Sequence, residues 1–187
     1  LGCKNGVSEG ISWFFENVDY GIILEDDCIP DLSFFVYAEK MLEVYKTEKD
    51  VFAISGNCFL NNIYQDRKYQ YYFSKYCFIW GWATWKDRWK KFDKDITFWP
   101  EFKKSKKWKK LHNNFFENIY WRRIFDRVYD NQIDTWDYSW LLSIWNSNGL
   151  ILLPKVNLVS NIGFGKIATH TNDPNSKFSN LKTKEFS

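Results

Sequence analysis

A chain of 187 residues is long enough for one domain with a real core and does not require two. Hydrophobic residues make up 45% and charged residues 26%, which implies neither disorder nor a membrane span, and a net charge of +3 supplies no global field for nucleic acid. Aromatic content is the outlier at 21%, with 11 Trp, 11 Tyr and 17 Phe; most of these rings are expected in packing, although such rings also suit sugar faces.

Residues 8–18 place Ile11, Phe14, Phe15 and Val18 at helical spacing behind Ser8 as N-cap. A short apolar strand follows over residues 21–24 and runs into Glu25, Asp26 and Asp27 before Pro30 ends any ladder. Three adjacent anions at a strand end repel one another. Either a hard divalent cation, Mg²⁺ or Mn²⁺, offsets them, or they form an acidic turn that caps the helix beginning at Asp31. That helix extends to about residue 45, and a strand over residues 51–55 ends at Gly56.

Residues 61–70 read as a loop and residues 71–80 as an aromatic strand, broken by Gly81 and followed by a helix over 83–92. Such a corner either presents Gly81, Trp82 and a helix N-terminus to a phosphate or sugar, or is a packing corner that needs glycine for space. Residues 103–110 hold six lysines around Trp108, read as a solvated face or as a contact for anionic lipid. A helix over 113–130 and another from Thr135 to an Asn148-Gly149 cap follow. Asp137 falls in the first turn of the latter, where the helix dipole favours an ionised carboxylate able to accept a proton. A strand over 150–153 stops at Pro154, the segment 157–165 ends in glycines, and the polar tail 172–187 is expected to be disordered.

The cysteines, Cys3, Cys28, Cys58 and Cys77, form no CxxC pair and have no histidine at zinc-finger spacing, so they read as free, buried thiols of a cytoplasmic protein. The alternation of helices and strands predicts an α/β fold.

The apolar strand ending in Glu25-Asp26-Asp27 resembles the metal-binding acidic motif of GT-A-fold, nucleotide-sugar-dependent glycosyltransferases, in the EDD form found in N-acetylglucosaminyltransferases. The stretches YCFIWGWATW (76–85), DTWDYSW (134–140) and LVSNIG (158–163) resemble segments of bacterial family-2-like members. The resemblance covers most of residues 8–170. It implies a GT-A-like, Rossmann-like mixed sheet flanked by helices over residues 1–171, and a Mn²⁺ or Mg²⁺ ion held by Asp27 with His170. Glu25 and Asp26 would face the donor sugar or ribose, and Asp137 would be the catalytic base of an inverting transfer. The partners implied are a nucleotide-sugar donor and a saccharide or lipid-linked acceptor; if the acceptor is lipid-linked, the lysines of residues 103–110 are expected to supply a peripheral membrane contact.

Other readings stay open: a carbohydrate-binding module without catalysis, and a metal-dependent nucleotidyltransferase, for which no Gly-rich phosphate loop is found. Because one helix alone precedes the acidic strand, the sheet is expected to lack N-terminal strands, about 80 to 100 residues by the usual size of such domains. The exposed edge would then favour self-association.

Overall fold

The computed structural model describes residues 2–59, 69–112, 114–164, 176 and 178–186. The elements run α1 (Gly2–Asn17), β1 (Tyr20–Ile23), β2 (Cys28–Pro30), α2 (Leu32–Val44), β3 (Val51–Ser55), β4 (Tyr71–Ser74), β5 (Trp82–Trp85), α3 (Lys86–Trp89), α4 (Trp99–Phe102), α5 (Lys106–Leu111), α6 (Phe115–Tyr129), α7 (Asp137–Asn146), β6 (Leu150–Pro154) and β7 (Val159–Asn161). The fold is α/β, as the alternation of elements predicts.

Five strands form one mixed sheet in the order β1-β5-β3-β6-β4, and β2 pairs with β7 in a separate ribbon. β3 and β6 are parallel, while β5 runs antiparallel to both β1 and β3. Thus β1, β3 and β6 all point the same way, and their carboxyl ends share one edge of the sheet. Among the described residues β1 is an outer strand, paired with β5 alone.

Alternation along the strands divides the core. Ile54, Ala83, Trp85 and Leu152 face α2, where they meet Phe34, Tyr37, Ala38, Met41 and Leu42. Ala53, Trp82, Ile151 and Leu153 face the opposite way, onto Ile11 and Phe15 of α1 and Trp140 and Ile144 of α7. A third cluster, of Trp99, Phe102, Trp108, Phe125, Leu142 and Trp145, joins α4 to α7 outside the sheet.

This packing corrects the expected strand-glycine-helix corner. Gly81 does sit at a turn, with φ of 77°, but the chain then enters β5 and reaches a helix only at Lys86. Residues 82–85 are all buried and lie between β1 and β3, so pairing on both sides overrides the helix expected over 83–92 with Trp85 and Trp89. Trp82 is 0% exposed and packs 5.7 Å from Trp136 and 5.9 Å from Trp140. It cannot present its ring to a ligand.

Other boundaries also move. The expected strand over 71–80 stops at Ser74, because the next carbonyls bond to side chains: Trp145 donates to that of Lys75 (2.6 Å) and Ser55 to that of Phe78 (2.9 Å). Trp108, expected at a membrane surface among its lysines, is 1% exposed and lies 4.8 Å from Trp99. Its ring is core, so it cannot anchor to lipid.

Part of the tail departs from the expected disorder. Within 178–186, Lys184 N–H donates to the Asn157 carbonyl (2.9 Å), and Phe186 packs its ring 4.7 Å from Tyr37. Phenylalanines spaced through a polar segment give it apolar anchors that its mean composition hides. Among the described residues no helix is long and apolar enough to cross a membrane.

Because Trp82 is a structural residue, Trp82→Ala is expected to destabilise the protein by about 3–5 kcal/mol, the usual cost of truncating a buried aromatic. Urea unfolding measures this. A cost below about 1 kcal/mol would show that the ring is not part of the core.

Candidate functional site

β1 delivers the acidic triplet to the edge where the parallel strands end, the position at which ligands of open α/β sheets bind. The turn closes through the Cys28 N–H donating to the Glu25 carbonyl (3.1 Å), and β2 then pairs with β7 so that Cys28 lies opposite Asn161. That register brings Asn161 Nδ2 to 2.9 Å from Asp27 Oδ1, while the Ile162 N–H donates to the Asp27 carbonyl (2.9 Å). Asn161 is in turn oriented by accepting from the Gly163 N–H (2.8 Å). A Cβ at Gly163 would collide with the Asp27 carboxylate. Asp27 is therefore gripped by a loop more than 130 residues away in sequence.

The helix-capping alternative for the triplet does not hold. Asp31 caps α2 by itself, accepting from the Ser33 N–H (2.9 Å) and the Ser33 hydroxyl (2.6 Å). Glu25, Asp26 and Asp27 are left with no such duty.

Glu25 is the most perturbed carboxyl of the group. Burial pushes it up, and the nearby charges of Asp27, Asp137 and Asp26 push it further, to about 7, against an opposing hydrogen bond with Trp136. The involvement of Asp137 is informative, since it lies 112 positions away and arrives on α7. Its carboxylate accepts a hydrogen bond from the Thr135 hydroxyl. Asp26 is exposed. Asp134, the neighbouring acid, is committed elsewhere: it accepts from the Cys3 and Lys4 N–H groups (3.0 and 2.9 Å) and so anchors the start of α1.

One ligand atom from each of Glu25, Asp27 and Cys28 can be chosen so that all lie within 4.8 Å of one another. Burial pushes the Cys28 thiol up to about 12, a rise that backbone hydrogen bonding at Glu25 moderates and the neighbouring acids reinforce. It stays protonated and is a poor ligand for a hard ion, whereas the two carboxylates suit Mg²⁺ or Mn²⁺ and would leave other coordination positions for water or phosphate oxygens. The donor set fits a hard cation through Glu25 and Asp27.

The structure thus brings together Glu25, Asp26, Asp27 and Asp137. Gly81 lies beneath them in a steric role, since a Cβ there would stand 2.7 Å from Val159 and 3.2 Å from Leu24. Trp82 is excluded by its burial. His170 lies outside the described residues. Asn161, Gly163 and Trp136 complete the site although composition and periodicity do not mark them; the signal for the first two is the Asn-x-Gly spacing, which lets one side chain fold back on the next turn. Compared with protein-family models and with curated proteins, the chain matches none.

The electrostatics predict a pH-dependent cost. Glu25 holds its proton more tightly folded, at about 7, than at its ordinary 4.5, so its contribution favours folding below about pH 4.5 and is lost as pH rises through 7. Glu25→Gln, which mimics the protonated form, is expected to leave stability nearly unchanged at pH 4 and to raise it at pH 8 in metal-free buffer. An equal effect at both pH values in urea unfolding would mean that Glu25 does not sit among repelling charges.

Proposed function

We propose that the chain is a glycosyltransferase of GT-A-like architecture, which moves a sugar from a nucleotide-diphosphate donor onto a hydroxyl of a saccharide or lipid-linked acceptor by a cation-dependent, inverting displacement. The observation that carries this reading is the convergence of Glu25, Asp27 and Asp137 at the carboxyl edge of the parallel strands. A bound Mg²⁺ or Mn²⁺ would neutralise the charge that develops on the leaving diphosphate.

The remaining work falls to side chains. Glu25 and Asp27 are the oxygens that would hold the cation, and Asn161 keeps one Asp27 oxygen fixed so that little ordering is left for the bound state. Asp137 stands at the head of α7, where the dipole favours its anion, and would take the proton of the acceptor hydroxyl as that oxygen attacks. The half-buried Trp80, whose ring lies 5.4 Å from both Phe59 and Phe164, is the aromatic surface nearest in sequence to Gly81 and could support a donor ring. A cytoplasmic setting suits the free cysteines.

A carbohydrate-binding module is less well supported, because the tryptophan content that suggested it is largely core: Trp82, Trp99, Trp108, Trp136, Trp140 and Trp145 are each under 2% exposed. A nucleotidyltransferase would share the acidic edge but gains no separate observation.

Calorimetry with Mn²⁺ and a panel of nucleotide sugars tests the proposal. Asp27→Asn is expected to abolish Mn²⁺-dependent donor binding while the protein stays folded. Asp137→Asn is expected to keep donor affinity near wild type while kcat falls by about 10²-fold or more. Donor binding that is indifferent to both Mn²⁺ and Asp27 would overturn the reading, and unchanged turnover in Asp137→Asn would remove the base assignment.

A further inference from the structure

At the opposite edge of the sheet, where β6 begins, lies a cleft of about 520 Å³ lined by Lys75, Lys106, Lys107, Lys110, Leu111, Trp145, Asn148, Gly149 and Leu150. Among the described residues its lining contains four lysines and no carboxylate. Asn148 shapes the rim: it adopts a left-handed backbone with φ of 57°, which reverses the chain from α7 into β6.

The four ammonium groups are not equally neutralised. Lys75 reaches Glu117 at 2.6 Å and also donates to the Leu111 carbonyl. Lys107 is half-buried and donates to the Asn146 carbonyl, a neutral partner, and burial lowers its pKa. Lys106 and Lys110 form no ion pair with any described residue, in contrast to Lys103, which pairs with Asp126 at 2.7 Å, and Lys104, which pairs with Glu101 at 3.3 Å. Of the four lysines of this segment that form no ion pair with a described residue, Lys106, Lys107 and Lys110 line the cleft and Lys109 does not. Beneath them lie the apolar surfaces of Leu111, Trp145 and Leu150.

We propose that this cleft is a second binding site, for a phosphate ester whose phosphoryl group meets Lys106, Lys107 and Lys110 while the rest of the ligand rests on Leu111 and Leu150. The volume lies within the usual range for ligand sites, about 300–1,000 Å³, and exceeds what a bare phosphate needs. Ammonium groups suit phosphate as point charges, and while Glu117 already holds Lys75, no acid of the described residues pairs with Lys106, Lys107 or Lys110. The site is separate from the acidic edge: α7 carries Asp137 at one end and leads to the cleft at the other, about 15 Å away at the helical rise per residue. The inference therefore stands whether or not the acidic edge transfers sugars.

The same phosphate chemistry occurs in soluble esters and in lipid headgroups, so the experiment has two arms. In the first, inorganic pyrophosphate is titrated calorimetrically at low salt with EDTA present, so that the acidic edge cannot recruit it through a cation. Wild type is expected to bind, Lys106→Gln and Lys110→Gln to weaken binding by about tenfold each, and Lys104→Gln and Lys109→Gln, outside the lining, to leave it unchanged. In the second, phosphatidylglycerol vesicles are sedimented with the protein, with and without pyrophosphate. Vesicle binding that pyrophosphate displaces would identify a lipid headgroup, and pyrophosphate binding without vesicle binding would identify a soluble ester. Failure of wild type to bind pyrophosphate overturns the proposal, as does equal weakening by Lys109→Gln and Lys110→Gln, which would reduce the lysines to diffuse surface charge.

Discussion

The packing of Trp82 against Trp136 and Trp140 is the constraint from which the rest of the architecture follows. Trp82 lies on the interior strand β5 and the other two on or beside α7, so the contact fixes the helix onto one face of the sheet. Trp89 joins the same group, 5.0 Å from Trp140, and bonds its indole N–H to Ser12 of α1 (3.1 Å). Large rings bury much apolar area with few rotatable bonds, so such a cluster orients its elements at little entropic cost. One result is chemical: Trp136 and Asp137 are delivered to Glu25, across more than 100 residues of chain.

The acidic edge depends on a second device. Burying Glu25 in a turn beside Asp27, with the charge of Asp137 reaching it from α7, is unfavourable, as the elevated pKa of Glu25 records. The β2–β7 ribbon holds the arrangement against that repulsion, with Asn161 donating to Asp27 and Gly163 leaving room for its carboxylate. Strain of this kind is characteristic of sites whose arrangement serves binding more than stability.

A net charge of +3 conceals a polarised molecule. Carboxylates gather where the parallel strands end, and lysines gather where β6 begins. Because α7 turns directly back into β6, one helix separates the two charged regions and its macrodipole runs between them. Its positive end meets Asp137 and its negative end lies toward the lysines, so both regions are favoured by the same backbone field.

The sequence by itself determined the α/β class, the β3 strand at Val51–Ser55, the α2 helix opening after Pro30 and the presence of acids at a strand end, because each rests on local periodicity or chain-breaking residues, whereas the capping role of Asp31 came from the structure. The helix expected over residues 83–92 starts later, at Lys86, because pairing with β1 and β3 claims the backbone of residues 82–85 first. The burial of Trp108 within a run of lysines was likewise hidden, since α5 turns its single ring inward while its charges stay out. Tertiary structure alone decided which group meets which: Asp137 within electrostatic reach of Glu25, Asp134 bound instead to the start of α1, and Asn161 on Asp27. Those pairings span most of the chain, and long-range contact depends on strand order and helix packing, which no local pattern encodes.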